Sequence, residues 1–116
     1  MFDIAGKIEE LGTSNFFLSE ITIAELKFGA ANSDFPEKNA EKIAQLQQWF
    51  TVIPIFSSLD VYASEKARLK KSGKILDDFD LLIGATAISN NLTLVTRNVS
   101  DFERLNAIEI ENWVMR

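Results

Sequence analysis

Residues 77–86 read "DDFDLLIGAT", and the fold is decided by how this stretch is read. The run "LLIGATAI" that starts at Leu81 has no polar face, the pattern of a helix covered on both sides. Three carboxylates, Asp77, Asp78 and Asp80, stand at its start. Charge beside an apolar core is costly unless it is paired or coordinates a metal. Acids in a first helical turn satisfy orphan amides and the positive end of the macrodipole, and two would do for that purpose. The third, Asp80, is more than capping requires and is the first candidate for chemistry. Asp77 lies three residues before it and could share its face, although a solvated Asp77 is equally compatible with the spacing.

Outward from this helix, which is expected to run from about Asp78 to the turn pair Asn90 and Asn91, the chain alternates helices with short apolar strands. "LTLVT" is a strand, "VSDFERL" a short helical turn and "IEIEN" a last strand. On the other side, "FDIAGKIEELG" has helical spacing, "NFFLS" is a strand and "ITIAELKFGA" a helix. Pro36 opens the helix "PEKNAEKIAQLQQWF", with Ile43, Leu46, Trp49 and Phe50 as its stripe. "TVIPIF" is a strand with Pro54 favouring an edge, and "SLDVYASEKARLKKSG" is a charged helix closed by Gly73. This alternation predicts an α/β domain with a mostly parallel sheet, whose sites gather at the carboxyl ends of strands. Glu25 and the pair Asn98 and Asp101 follow two of those ends, and Asp80 joins them if its helix starts on the same edge.

A length of 116 residues is one domain, residues 1–116, with no repeat or linker. Hydrophobic residues at 47% and charged residues at 25% are globular proportions and argue against disorder. No apolar run reaches the ~20 residues of a membrane span, and the N-terminus lacks a signal-peptide core, so a cytoplasmic protein is expected. The absence of Cys excludes disulfides and thiolate chemistry. The absence of His removes the commonest general acid–base, which leaves carboxylates with hard divalent ions as the natural pairing. A net charge of −5 argues against a broad nonspecific grip on a phosphate backbone, but not against a nuclease whose metal neutralises its own acidic site.

Each remaining candidate has a structural explanation beside the functional one. Glu25 completes a capping box with Thr22. Thr96, Asn98 and Asp101 fit a turn in which Asp101 or Ser100 caps the next helix. Lys70, Lys71 and Lys74 fit a solvated face as well as an RNA patch, and Trp49, Trp113 and most of the nine Phe fit a core.

In their order, "SEITIAELKFGA", "DDFDLLIGATAISNNLTLVTRNVSDFERL" and "IEIENW" resemble the VapC-type PIN-domain ribonucleases, the toxins of toxin–antitoxin pairs. The resemblance runs from about Phe16 to Trp113. It implies a PIN-like α/β/α sandwich around a central parallel sheet and Mg²⁺- or Mn²⁺-dependent hydrolysis of RNA. It also implies homodimers and a VapB-like antitoxin. Carried over by position, Glu25 and Asp80 are metal ligands, Asp101 a ligand through water, and Thr96 and Asn98 positioning groups. The family opens with a central strand that ends in a ligand Asp; nothing before Phe16 matches it, so that strand and its aspartate are expected to be missing. An alternative is therefore a catalytically impaired PIN-like module that binds an antitoxin or a second copy. A phosphotransfer protein of receiver type is a weaker fit, because no strand ends in a nucleophilic Asp.

Overall fold

The computed structural model describes residues 17–96 and 98–111, which fall into two compact units. The expected helix at 2–12 and Trp113 lie outside the described residues.

In the first unit, strand β1 (Phe17–Ser19) passes directly into helix α1 (Glu20–Ala31). Ser19 is buried at the junction and its Oγ accepts the Ile21 N–H at 3.1 Å, so Ser19 is the N-cap. The capping box expected of Thr22 and Glu25 is thereby corrected. One side chain already caps this end, and Thr22 and Glu25 lie inside the helix. α1 buries Ile21, Ile23 and Ala30 and packs on helix α2 (Pro36–Trp49), which buries Ile43. The turn between them is fixed by Ser33, whose Oγ donates to the Ala30 carbonyl at 2.7 Å and accepts from Asn39 Nδ2 at 2.8 Å. Strand β2 (Thr51–Ile53) then pairs parallel with β1, Leu18 opposite Val52, and Pro54 follows its last residue.

Among the described residues, the aromatic core expected from the sequence is not there. Trp49 is 63% exposed, and Phe28, Phe35 and Phe56 are 69%, 68% and 84% exposed. Phe35 and Phe56 stand where helices open, at an N-cap and in a 3₁₀ turn. The interior is filled instead by Leu, Ile and Ala, and Phe102 is the buried phenylalanine among the described residues.

In the second unit, a 3₁₀ turn (Phe56–Ser58) leads into helix α3 (Leu59–Lys71). Gly73, at φ 75°, reverses the chain while Lys74 N–H bonds the Leu69 carbonyl at 2.9 Å. Helix α4 (Asp78–Ser89) buries Leu81, Gly84, Ala85, Thr86 and Ala87, the covering its lack of a polar face requires. It ends at Asn90, with Asn91 in the left-handed region at φ 54°. Strand β3 (Thr93–Val95), the short helix α5 (Val99–Phe102) and strand β4 (Glu109–Glu111) complete the unit, β3 and β4 being parallel. Its core is Leu69, Leu76, Leu81, Phe102 and Leu105. Among the described residues, no helix is long and apolar enough to cross a membrane.

Two further contacts fix how α3 and α4 meet the chain around α5. Glu65, buried on α3, accepts both nitrogens of the Arg68 fork at 2.9 and 3.0 Å and the Asn106 N–H at 2.6 Å. Arg68 also donates to the Arg104 carbonyl at 2.6 Å. The Arg68 hydrogen bond is the main cause that holds the Glu65 carboxyl below the usual range; burial opposes it and the Asn106 amide adds to it. At Gly84, an added Cβ would collide with the buried Leu105 side chain.

Glu65→Ala is expected to cost about 2 kcal/mol, since it removes the buried acceptor shared by the Arg68 guanidinium and the Asn106 N–H. Because the folded pKa is depressed, that contribution is present above the ordinary carboxylate range and disappears as pH falls through the lowered value; urea unfolding at pH 7 and pH 3 measures both. Gly84→Ala is expected to lower stability by ~1–3 kcal/mol through overpacking against Leu105, read from the same urea curves.

Candidate functional site

The first turn of α4 sorts its three acids by what each one touches. Asp77 is the N-cap, its Oδ2 accepting the Phe79 N–H at 3.1 Å. Asp78 faces α3: its Oδ1 accepts from Tyr62 Oη at 2.9 Å and from Lys66 Nζ at 2.8 Å. The Lys66 hydrogen bond, then that of Tyr62, holds the Asp78 carboxyl below the usual range, and Lys66 is raised in return. Asp80 differs from both. It is half-buried, and among the described residues its carboxylate has no hydrogen bond or ion pair. Burial first, then the charges of Asp77 and Asp101, push its pKa up.

Asp101 comes from the segment that leaves β3. Thr96 extends the ladder, its N–H bonding the Glu111 carbonyl at 3.1 Å, and its Oγ1 accepts the Asn98 N–H at 3.0 Å. Asn98 stands at the start of α5 and donates from Nδ2 to Asp101 Oδ2 at 2.9 Å. Arg104 lies 3.6 Å from the other Asp101 oxygen. Asp101 thus sits inside α5 and caps nothing; Asn98 and Arg104 hold its carboxylate in place. The structure brings Asp80, Asp101, Asn98 and Thr96 into one unit. Glu25 is on α1 in the first unit, exposed on the middle of the helix, with no side-chain partner among the described residues. The capping role that competed for Glu25 is filled by Ser19.

Among the described residues, no group of three or more acids is drawn together for a cation. Asp101 is near enough to Asp80 for its charge to act there, after that of Asp77. The donors around Asp80 and Asp101 still suit a hard divalent ion: two carboxylates, an amide oxygen and a hydroxyl, with one carboxylate burdened by negative neighbours. Tyr62 and Lys66 were not singled out in the sequence. Their i,i+4 spacing was visible, but the acid they hold is 12 to 16 residues away.

Parallel strand pairs, crossing helices and paired carboxylates beyond a strand end define an α/β domain of acidic-site type. A family model described as "PIN domain" matches residues 3–108. "Ribonuclease VapC2" of Haemophilus influenzae is 39% identical over 101 residues, covering 84% of this chain and 74% of that protein. The "tRNA(fMet)-specific endonuclease VapC" of Salmonella typhimurium is 32% identical over 104 residues, covering 89% and 79%. Among solved structures, DNA-bound VapBC from Salmonella typhimurium superposes with a TM-score of 0.89 at 30% identity, covering 96% of this chain and 84% of that one. VapBC2 from Rickettsia felis, bound to a DNA fragment from its promoter, gives 0.87 at 30% identity, covering 95% and 84%. The chain belongs to the PIN-domain family, in its VapC branch.

Asp80→Asn removes a charge that the fold penalises. A raised carboxyl pKa in the folded state means that ionised Asp80 destabilises above that pKa and the penalty is gone below the ordinary one. The variant is expected to be more stable than wild type at pH 7, with the gain lost once the pH is below the ordinary carboxylate range, measured as urea midpoints in EDTA.

Proposed function

We propose that this chain is an endoribonuclease toxin of a VapBC-type toxin–antitoxin system. It hydrolyses RNA phosphodiesters with Mg²⁺ or Mn²⁺, for which Asp80 and Asp101 offer carboxylates and Glu25 is a further candidate ligand. The observation that carries the reading is the Asp80 carboxylate: half-buried, without a partner among the described residues, and opposed by Asp77 and Asp101. A folded protein bears such a cost where the charge has a use. When bound, the divalent cation supplies Lewis-acid activation and neutralises phosphate charge. Asp80 offers its carboxylate from a rigid helix start that Asp77 caps. Asn98 and Arg104 hold the Asp101 carboxylate, whose charge acts on Asp80, and the Thr96 hydroxyl fixes the Asn98 backbone that carries this contact.

The names of the VapC relatives support RNA as substrate, and the VapBC complexes among the similar structures support a VapB-like antitoxin. We place the protein in the cytoplasm as a homodimer, the setting in which an antitoxin would restrain it.

The deciding experiment is incubation of a mixed RNA pool with the purified chain and Mn²⁺. Cleavage is expected, abolished by EDTA and reduced about 100-fold or more in Asp80→Asn and Glu25→Gln. A folded wild-type chain that captures antitoxin but cuts nothing would instead make it a binding module.

A further inference from the structure

We propose that Arg104 is a positioning residue of the acidic site: its guanidinium spans from the Asp101 carboxylate to the Ile75 carbonyl on the connector into α4, and so sets where Asp101 stands relative to Asp80. This inference rests on the nuclease reading and names what keeps two carboxylates from separate segments in register.

Asp80 is fixed by α4, a helix of 12 residues packed into the core. Asp101 has no such support. It belongs to α5, which has 4 residues and is too short to hold itself by its own hydrogen bonds. The buried side chains of Phe102 and Leu105 anchor the backbone here, but Asp101 is partly exposed and its carboxylate is placed by what touches it. Asn98 takes Oδ2 at 2.9 Å from the start of the same short helix. Arg104 is the contact that leads elsewhere.

Three observations place Arg104. Its Nη1 donates to the Ile75 carbonyl at 3.2 Å, across 29 positions of sequence. Ile75 lies between the Gly73 turn and the Asp77 cap, in a stretch without helix or strand, so this bond reaches the segment that delivers α4. Second, Nη2 lies 3.6 Å from Asp101 Oδ1. Third, the Arg104 carbonyl accepts from Arg68 Nη2 at 2.6 Å, and Arg68 is itself held by the buried Glu65. The backbone of Arg104 is thereby tied to α3, one arm of its guanidinium to the entry of α4 and the other arm to Asp101. A planar fork serves two acceptors in fixed directions, which an ammonium does not reproduce. The ion pair is exposed and adds little stability, so the bridge matters for geometry rather than strength. The charge of Asp101 is felt at Asp80, which is the separation this bridge maintains.

As a charge alone, Arg104 would oppose a cation site, because it brings a positive group to one of the ligands. Positioning and simple charge therefore predict changes of opposite sign. The test titrates Mn²⁺ into the purified chain, wild type, Arg104→Met and Arg104→Lys, with the free ion read by electron paramagnetic resonance and folding by urea midpoints. Mn²⁺ affinity is expected to fall about 10-fold in Arg104→Met, although a repelling charge is gone, and Arg104→Lys is expected not to restore it. In RNA cleavage both variants are expected to lower kcat and leave KM unchanged. Unchanged or tighter Mn²⁺ binding by Arg104→Met would overturn the bridge, even in an active nuclease. So would wild-type affinity in Arg104→Lys, since charge would then suffice; this variant decides the question if Arg104→Met does not fold. A raised KM with kcat intact would also overturn it and assign Arg104 to RNA contact. A folded wild type that binds no Mn²⁺ would remove the nuclease reading and the bridge with it.

Discussion

Everything in the second unit is arranged around one conflict: α4 is covered by apolar side chains, yet it begins in a cluster of negative charge. Its middle is held by Leu81, Gly84, Ala85 and Ala87 inside the core, with Gly84 letting Leu105 approach the helix axis. That packing fixes where the first turn must lie. A helix start so placed cannot drift to relieve its charges, and each acid has to be satisfied where it stands.

Two of the three are. Asp77 spends its charge on a helix amide, and Asp78 on Tyr62 and Lys66 of α3. The second contact is exposed, so its energetic worth is small. Its importance is geometric, since it ties the turn to α3 and draws a cation toward the acids. Asp101, arriving from beyond β3, comes already held by Asn98. Asp80 is what remains, and the same rigidity that makes it costly makes it suitable for chemistry, because a ligand on a packed helix start does not have to be ordered when a cation or phosphate arrives.

The legibility of these features in the sequence follows their range. α4 could be read almost to the residue, because its apolar run is unbroken and its ends carry strong local signals, Asp77 before it and Asn90 and Asn91 after. The start of α1 could not. Ser19, Thr22 and their neighbours include more than one residue able to cap, and the choice was made by the strand that delivers Ser19, a buried junction no local pattern records. The aromatic residues misled for a related reason: hydrophobicity indicates what can be buried, but Phe35 and Phe56 stand at turns, and a turn faces water wherever the chain reverses. Of the site, the acids were legible as acids. Which of them is paired was not, since Tyr62 and Lys66 meet Asp78 only once α3 lies along the start of α4.

That pairing changes how the lysines of α3 are understood. Seen along the sequence, Lys70, Lys71 and Lys74 are a polar helix end, and a favourable one, since cations near a C-terminus suit the macrodipole. Dipole stabilisation accounts for the last turn of α3. It does not account for Lys66, a turn and a half earlier, nor for Lys74 beyond Gly73. Lys66 is accounted for by its ion pair: Asp78 holds the ammonium at 2.8 Å on the side of the first turn that faces α3, and the two-residue spacing turns Asp80 away from that contact, so Asp80 keeps its negative neighbours without a cation to offset them.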